Sequence, residues 1–258
     1  MPPVGRRAVK KVLITGMSGL IGGLLRRRLE SAGGYELRAL NRSAVEGVEC
    51  HRADIADLEA IRPAFQGIDV VVHLAAYLGD DAWEGQLAGN VIGTYNVYEA
   101  ARQAGVDRVV FASSGNAIRG FELVPPYDAI AAGRYDDVPE DFPKVTHEMV
   151  RPSGIYGAAK VWGEALGRHF SDVYGISALC VRIGAVPPEN RPRNPRDFPV
   201  FLSHGDVVQI LQLCIDAPDD LRYDIFLATS RNRWGYRDLE HPRQVLGYEP
   251  RDSAEEMG

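Results

Sequence analysis

Along the chain, short apolar runs alternate with longer stretches in which apolar residues return every three or four positions. Val9–Thr15 (VKKVLIT) is rich in β-branched residues and reads as a first buried strand. Leu24, Leu25 and Leu29 then mark one face of a helix that closes at Gly33-Gly34. Further strands are expected at Tyr35–Leu40, Val48–Ala53, Asp69–Ala75, Val106–Ala112, Ala178–Ile183 and Tyr223–Ala228. The run Asp69–Ala75 (DVVVHLA) is apolar on both faces, as parallel strands covered on both sides are. Between the strands come a short helix holding Leu58, Ile61 and Phe65 and a long amphipathic helix over Trp83–Ala104. A helix over Tyr156–Tyr174 and one from about Gly205 to Asp216, capped by Ser203, complete the set. No internal repeat interrupts the order. Strand–helix alternation of this kind predicts an α/β fold, a Rossmann-like doubly wound parallel sheet with helices on both faces. Residues 1–183 are expected to form the sheet domain and residues 184–258 a small, interwoven C-terminal lobe. The proline-rich stretch 120–152 has no clear period and is expected to be a functional loop or lid.

The first strand runs into Gly16-Met17-Ser18-Gly19-Leu20-Ile21-Gly22, with glycines at three-residue steps between a strand and a helix. That is the context a dinucleotide-binding loop requires: Gly16 permits the turn, Gly19 lets backbone approach a pyrophosphate, and Gly22 allows close helix–strand packing. The pyrophosphate would rest on the free N–H groups of the helix start. About 20 residues on, where an adenosine ribose is read, stand Asn41 and Arg42 with no carboxylate, which tilts the reading from NAD towards NADP.

A second motif is Tyr156-Gly157-Ala158-Ala159-Lys160, which on a helix stacks Tyr156 and Lys160 on one face. A nearby ammonium should bring the phenol down from its ordinary pKa near 10 and make it a working acid and base. The fifth strand ends at Ser113-Ser114, at the rim where open α/β sheets bind ligands. His73, inside an apolar strand, reads as a hydrogen-bonded core residue.

Composition narrows the class. The 258 residues are 45% hydrophobic and 25% charged, with net charge −6, and the basic run Arg26-Arg27-Arg28 fits a solvated helix face. Nucleic acid is therefore not expected as a partner. Cys50, Cys180 and Cys214 read as buried thiols in a reducing cytosol, with neither a disulfide framework nor a metal site. With no run long enough to span a membrane and no apolar signal core at the start, a cytoplasmic protein is expected.

Taken together, Thr15 to Gly22, Asp54, His73-Leu74-Ala75-Ala76, Asn90, Ser113-Ser114 and Tyr156-x-x-x-Lys160 resemble the extended short-chain dehydrogenase/reductase superfamily, the NAD-dependent epimerases and dehydratases. The resemblance covers nearly the whole chain. It is nearest to uronate dehydrogenases through the Phe111–Ser114, Arg151–Lys160, Val181–Gly184, Phe201–Asp206, Trp234-Gly235 and Leu246–Pro250 segments. It implies Tyr156 as acid/base, Lys160 as its charge partner and Ser114 as the hydrogen-bonding hydroxyl. It implies a cofactor site of Gly16, Ser18, Gly19, Leu20, Ile21, Gly22, Asn41, Arg42, Asp54, Ile55, Leu74, Ala75, Ala76, Asn90, Ser113 and Ile183, with Tyr156 and Lys160. Tyr77, Ser114, Asn116 and Arg182 are implied to face the substrate, Arg182 by holding a carboxylate, with no metal. A homodimer through the 83–104 and 156–174 helices is implied as well. The chain departs from that pattern at Gly115-Asn116 in place of Asn-His, at Leu78 in place of a serine and at Asn41 in place of an acid. The expected activity is NAD(P)-dependent hydride transfer on a small sugar or sugar acid. The alternatives are a nucleotide-sugar epimerase or dehydratase that keeps its NAD, and a non-catalytic NAD(P)-binding sensor.

Overall fold

The computed structural model describes residues 9–79 and 82–258. The sequence readings that fall on residues 1–8, including the missing signal core, lie outside the described residues. Seven parallel strands form one sheet in the order β3-β2-β1-β4-β5-β6-β7. They are β1 (Lys10–Thr15), β2 (Tyr35–Asn41), β3 (Glu49–Arg52), β4 (Val70–His73), β5 (Arg108–Ser114), β6 (Ser177–Ile183) and β7 (Tyr223–Ala228). The order reverses between β1 and β4, which opens a crevice at the carboxyl ends of those strands.

Alternation along each strand builds two cores. Val12, Ile14, Val70 and Val72 face the helices Leu20–Ala32 and His204–Asp216, where they meet Leu25, Leu29, Ile210 and Leu211. Leu13, Val71, Val109 and Phe111 face the opposite layer, against Val97, Tyr98, Leu166 and Phe170. Both faces of the sheet are therefore covered, as the unbroken valines of β4 require. The helix Gly154–Tyr174 can lie this close on β5 because Gly163 and Gly167 have no Cβ: one on Gly163 would overlap the Phe111 ring, and one on Gly167 would stand 2.6 Å from the Tyr98 hydroxyl. Ser203 caps the His204–Asp216 helix by accepting from the Asp206 N–H at 3.0 Å, as its sequence position suggested.

Two expectations change. The 83–104 helix is not α-helical throughout: Gln86–Ile92 is a π-helical stretch between Trp83–Gly85 and Gly93–Ala104. Glycines at 85, 89 and 93 weaken the α preference there, and Gly93 leaves the space that Ile55 fills. Nor is 120–152 an open loop. It folds into short turns at Arg119–Leu123, Tyr127–Ala131 and Tyr135–Asp137. Tyr127, Ile130 and Val145 share a third core with Ile118, Val200, Leu227 and Tyr236, so burial of scattered apolar residues orders a segment that has no period. The C-terminal stretch carries helices at Glu240–Leu246 and Ala254–Met257. Cys180 and Cys214 are buried and Cys50 is half-buried, all three as free thiols.

His73 is a core residue, as expected. Its Nδ1 lies 2.8 Å from the Thr15 hydroxyl and its Nε2 3.4 Å from the Thr94 hydroxyl. Burial, with a smaller contribution from the Lys160 charge, holds its pKa down at about 3. The unfolded chain takes up this proton near 6.5 and the folded protein only near 3, so the stability His73 confers is present above 6.5 and is lost as pH falls between these values. Urea unfolding of the natural protein should lose about 1.4 kcal/mol per pH unit relative to a His73→Gln variant across that window. Parallel stability curves would contradict the assignment.

Candidate active site

The crevice at the β1–β4 reversal is a cleft of about 680 Å³. Its floor is the glycine loop. Gly16 has φ +72, and a Cβ there would stand 2.8 Å from the Ala75 nitrogen. A Cβ on Gly22 would stand 2.6 Å from both the Gly16 oxygen and the Met17 Cα, so the helix can begin this close to the strand only with glycine there. Gly19 is the N-cap of the Leu20–Ala32 helix and offers no side-chain cap, which leaves first-turn N–H groups of Leu20, Ile21 and Gly22 open to an anion. These features fit a dinucleotide pyrophosphate.

Around the loop, Ser18, Asn41, Arg42, Asp54, Ile55, Leu74, Ala75 and Ala76 line the cleft together, and Tyr77, expected to face the substrate, lines it too. Asn41 donates to the Ser18 hydroxyl at 2.7 Å, while its Oδ1 is buried without a partner. An orphaned carbonyl acceptor at the ribose-reading position suits a ribose hydroxyl. Arg42 is exposed at the rim. The ring of Tyr77 lies over glycine backbone, for a Cβ on Gly85 would stand 2.5 Å from its Cζ and one on Gly89 would stand 3.0 Å from its Cβ. Sequence reasoning did not single out these glycines. Their clustering between Tyr77 and Gly93 was the available signal.

Asn90 sits in the π-helical stretch behind the cleft wall. Its amide is committed to the backbone of Tyr77, accepting from the N–H at 2.9 Å and donating to the carbonyl at 2.8 Å, and it also donates to Gln86 at 2.5 Å. These bonds make it a positioning residue for the Tyr77 segment after β4. Ser113 is redirected. Its hydroxyl donates to Glu164 at 2.5 Å inside the core, away from the cleft lining. Ile183 is buried beside Ser114 in the β5–β6 register and likewise lies outside the lining.

The second group of predicted residues gathers at the carboxyl end of β5. Ser114 ends the strand, its hydroxyl accepts from the Asn116 N–H at 3.1 Å, and it is hydrogen-bonded to the Tyr156 phenol. Gly157 lets the helix meet this turn, since a Cβ there would stand 2.5 Å from the Asn116 oxygen. Lys160, only 3% exposed, sits one helical turn beyond Tyr156; its Nζ donates to the Ala112 carbonyl at 2.7 Å and stands 5.5 Å from the Tyr156 ring centroid.

Here the electrostatics differ from expectation. Burial pushes the Tyr156 phenol up from its ordinary value, and the Ser114 hydrogen bond only partly opposes it. The Lys160 ammonium, bonded to the Ala112 carbonyl and 5.5 Å from the phenol ring centroid, does not reverse that upward shift. Burial in turn lowers Lys160 to about 8, against the opposing pull of Glu164.

Arg182 is corrected most. Its side chain is 0% exposed. Nε and Nη2 each donate to a different Glu164 oxygen at 2.8 Å, and Nη1 donates to the Met149 carbonyl at 2.7 Å. Every arm of the guanidinium already has a partner, which leaves no fork for a substrate carboxylate. Glu164 itself was overlooked, although it lies four residues past Lys160 on the same helix face.

Another overlooked residue is Arg237. It is 4% exposed, and Nε and Nη1 are buried without partners beside Gly115. Outside the site, His147, Asp224 and His241 form a cluster, with the imidazoles stacked at 3.7 Å and His241 Nε2 2.8 Å from Asp224. No metal was expected from the sequence, and a metal here would have to replace the His241–Asp224 contact.

Comparison with known proteins agrees with this architecture. A family model described as the NAD dependent epimerase/dehydratase family matches residues 12–199. The NAD-dependent glucose-6-phosphate dehydrogenase of Haloferax volcanii is 32% identical over 95% of this chain and 95% of its own. The L-arabinose 1-dehydrogenase (NAD(P)(+)) of the same organism is 32% identical over 95% of this chain and 97% of its own. The crystal structure of uronate dehydrogenase from Agrobacterium tumefaciens superposes with a TM-score of 0.79 at 33% identity, covering 95% of this chain and 86% of that one. A single-residue variant of that enzyme is complexed with NAD. The cleft's glycine floor and the family match together place this chain in the NAD-dependent epimerase/dehydratase family.

Proposed function

We propose that this chain is an NAD(P)-dependent dehydrogenase of a small sugar or sugar acid, with Ser114, Tyr156 and Lys160 as its catalytic residues. The observation that carries the reading is the Ser114–Tyr156 hydrogen bond at the end of β5, with Lys160 one turn along the same helix. A nicotinamide bound at the strand ends supplies hydride transfer to or from a carbinol carbon. In the oxidising direction Tyr156 takes the proton of the substrate hydroxyl, so the substrate loses one hydride and one proton. Ser114 donates to the reacting oxygen and holds it against Tyr156. Lys160 supplies a buried positive charge next to the phenolate that forms. The relatives that act on free sugars, sugar acids or a sugar phosphate support a substrate of that size.

Asn41 and Arg42 bear on the cofactor. The unpaired Asn41 Oδ1 favours a ribose hydroxyl, and Arg42 at the rim can meet a 2′-phosphate, so both NAD and NADP are taken. Residues 184–258, with the packed 120–152 segment, serve as the substrate lobe over this site. Exposed Ile92, Tyr95, Trp162 and Tyr174 on the two long helices support a homodimer.

Replacing Tyr156 by Phe should lower turnover at least ~100-fold while leaving cofactor affinity, read by nucleotide titration, within a few-fold. Activity equal to the natural protein would refute the catalytic assignment. Since burial raises the Tyr156 pKa, its base form grows as pH rises. Oxidation rates should therefore climb from pH 7 into the alkaline range and reduction rates should fall. A flat or inverted profile would contradict that role. An Arg42→Ala change should raise the KM for NADP about ten-fold and leave that for NAD little altered; equal effects on both would remove Arg42 from 2′-phosphate recognition.

A further inference from the structure

Among the described residues the other buried cations are satisfied. Arg182 is paired with Glu164, Arg108 donates to the Ser177 hydroxyl and to the carbonyls of Ala217 and Pro218, and Lys160 donates to the Ala112 carbonyl. Arg237 is the exception. It is equally buried, yet Nε and Nη1 have no hydrogen-bond partner, and no carboxylate forms an ion pair with it among the described residues. A guanidinium cannot shed its charge in a protein, so burying one unpaired is strongly unfavourable unless a partner arrives.

Its position is fixed. Val145 and Arg237 form an isolated parallel bridge, with the Val145 N–H donating to the Tyr236 carbonyl at 2.8 Å and the Asp238 N–H donating to the Val145 carbonyl at 3.0 Å. From this anchored backbone the guanidinium reaches Gly115. A Cβ on Gly115 would stand 2.7 Å from Cζ and 2.9 Å from Nη1, and closer still to Nη2. Gly115 needs no unusual backbone angle, so what the glycine supplies is room. It follows directly on Ser114, whose hydroxyl is bonded to Tyr156. The glycine at 115 and the arginine at 237 are thus two halves of one arrangement, which puts an unpaired positive fork against the reacting end of the site.

We propose that Arg237 is the residue that recognises an anionic group on the sugar, a carboxylate or a phosphate, and that it does the work first assigned to Arg182. The proposal rests on the dehydrogenase reading of Ser114, Tyr156 and Lys160. The two-pronged guanidinium matches either oxyanion, and desolvation strengthens the contact. A neutral aldose offers this fork hydroxyl acceptors but no counter-charge, so the natural substrate is a sugar acid or a sugar phosphate.

The test is steady-state oxidation of galacturonate, glucose-6-phosphate, galactose, glucose and arabinose with NAD, by the natural protein and by Arg237→Met, Arg237→Gln, Arg237→Lys and Gly115→Ala. One of the anionic sugars should be favoured at least ~30-fold in kcat/KM over its neutral counterpart. Which one it is separates carboxylate from phosphate. Arg237→Met and Arg237→Gln should lose that preference mainly through KM, Arg237→Lys should recover part of it, and Gly115→Ala should reproduce the loss by evicting the guanidinium. Removing an unpaired buried charge should also raise the melting temperature of the ligand-free protein, whereas losing a structural arginine lowers it. Neutral sugars turned over as well as anionic ones, or an unchanged KM in both Arg237→Met and Arg237→Gln, would overturn the proposal and leave the dehydrogenase reading standing. If no free sugar is oxidised at all, the dehydrogenase reading fails. Calorimetric titration of galacturonate and glucose-6-phosphate into the NAD-saturated protein then decides Arg237 alone. Binding that disappears in Arg237→Met supports it, and equal or absent binding overturns it.

Discussion

The seating of the Gly154–Tyr174 helix on β5 is the constraint from which the site follows. Three glycines on one side of that helix let it approach the turn after Ser114, the Phe111 ring and the Tyr98 hydroxyl at distances that any Cβ would block. The close seating brings the Tyr156 phenol onto Ser114 and buries Lys160 and Glu164 against the sheet. Glycines in a helix interior weaken it by about 1 kcal/mol each relative to alanine, which makes sense here only because the packing they permit is tighter. The same device recurs at the other end of the cleft, where Gly16 and Gly22 set strand against helix.

Much of this was legible from pattern. Strand positions, the glycine loop, the Tyr156–Lys160 pair, the Ser203 cap and the buried His73 all express local periodicity or local chemistry, which a single sequence carries. What escaped were consequences of distant segments meeting. Nothing near Arg182 says that Glu164 will take its fork, and nothing near Arg237 says that it will end beside Gly115. The 120–152 segment looked like a lid because its apolar residues have no period; their partners lie at Val200, Leu227 and Tyr236. Its order is tertiary in origin.

The charges of the site form a graded series. Arg182 and Glu164 neutralise one another deep behind the reacting groups and hold Ser113 as well. Lys160 sits one turn nearer Tyr156, buried enough that its own pKa falls to about 8 while Glu164 holds it up. Tyr156 stands one turn further along the helix, where burial favours the protonated phenol and the Ser114 hydrogen bond partly opposes it.

The central claim is net oxidation of a free sugar, as opposed to a cofactor that returns its hydride to the same substrate. It is tested most directly by following absorbance at 340 nm, with NAD and with NADP, while the protein is offered free hexuronates, aldoses and sugar phosphates in parallel with nucleotide sugars. The expected result is reduced cofactor accumulating in proportion to a free sugar consumed, with the nucleotide sugars inert. Interconversion of a nucleotide sugar, seen by NMR without any rise in absorbance, would contradict the account and assign the same fold and site to an epimerase.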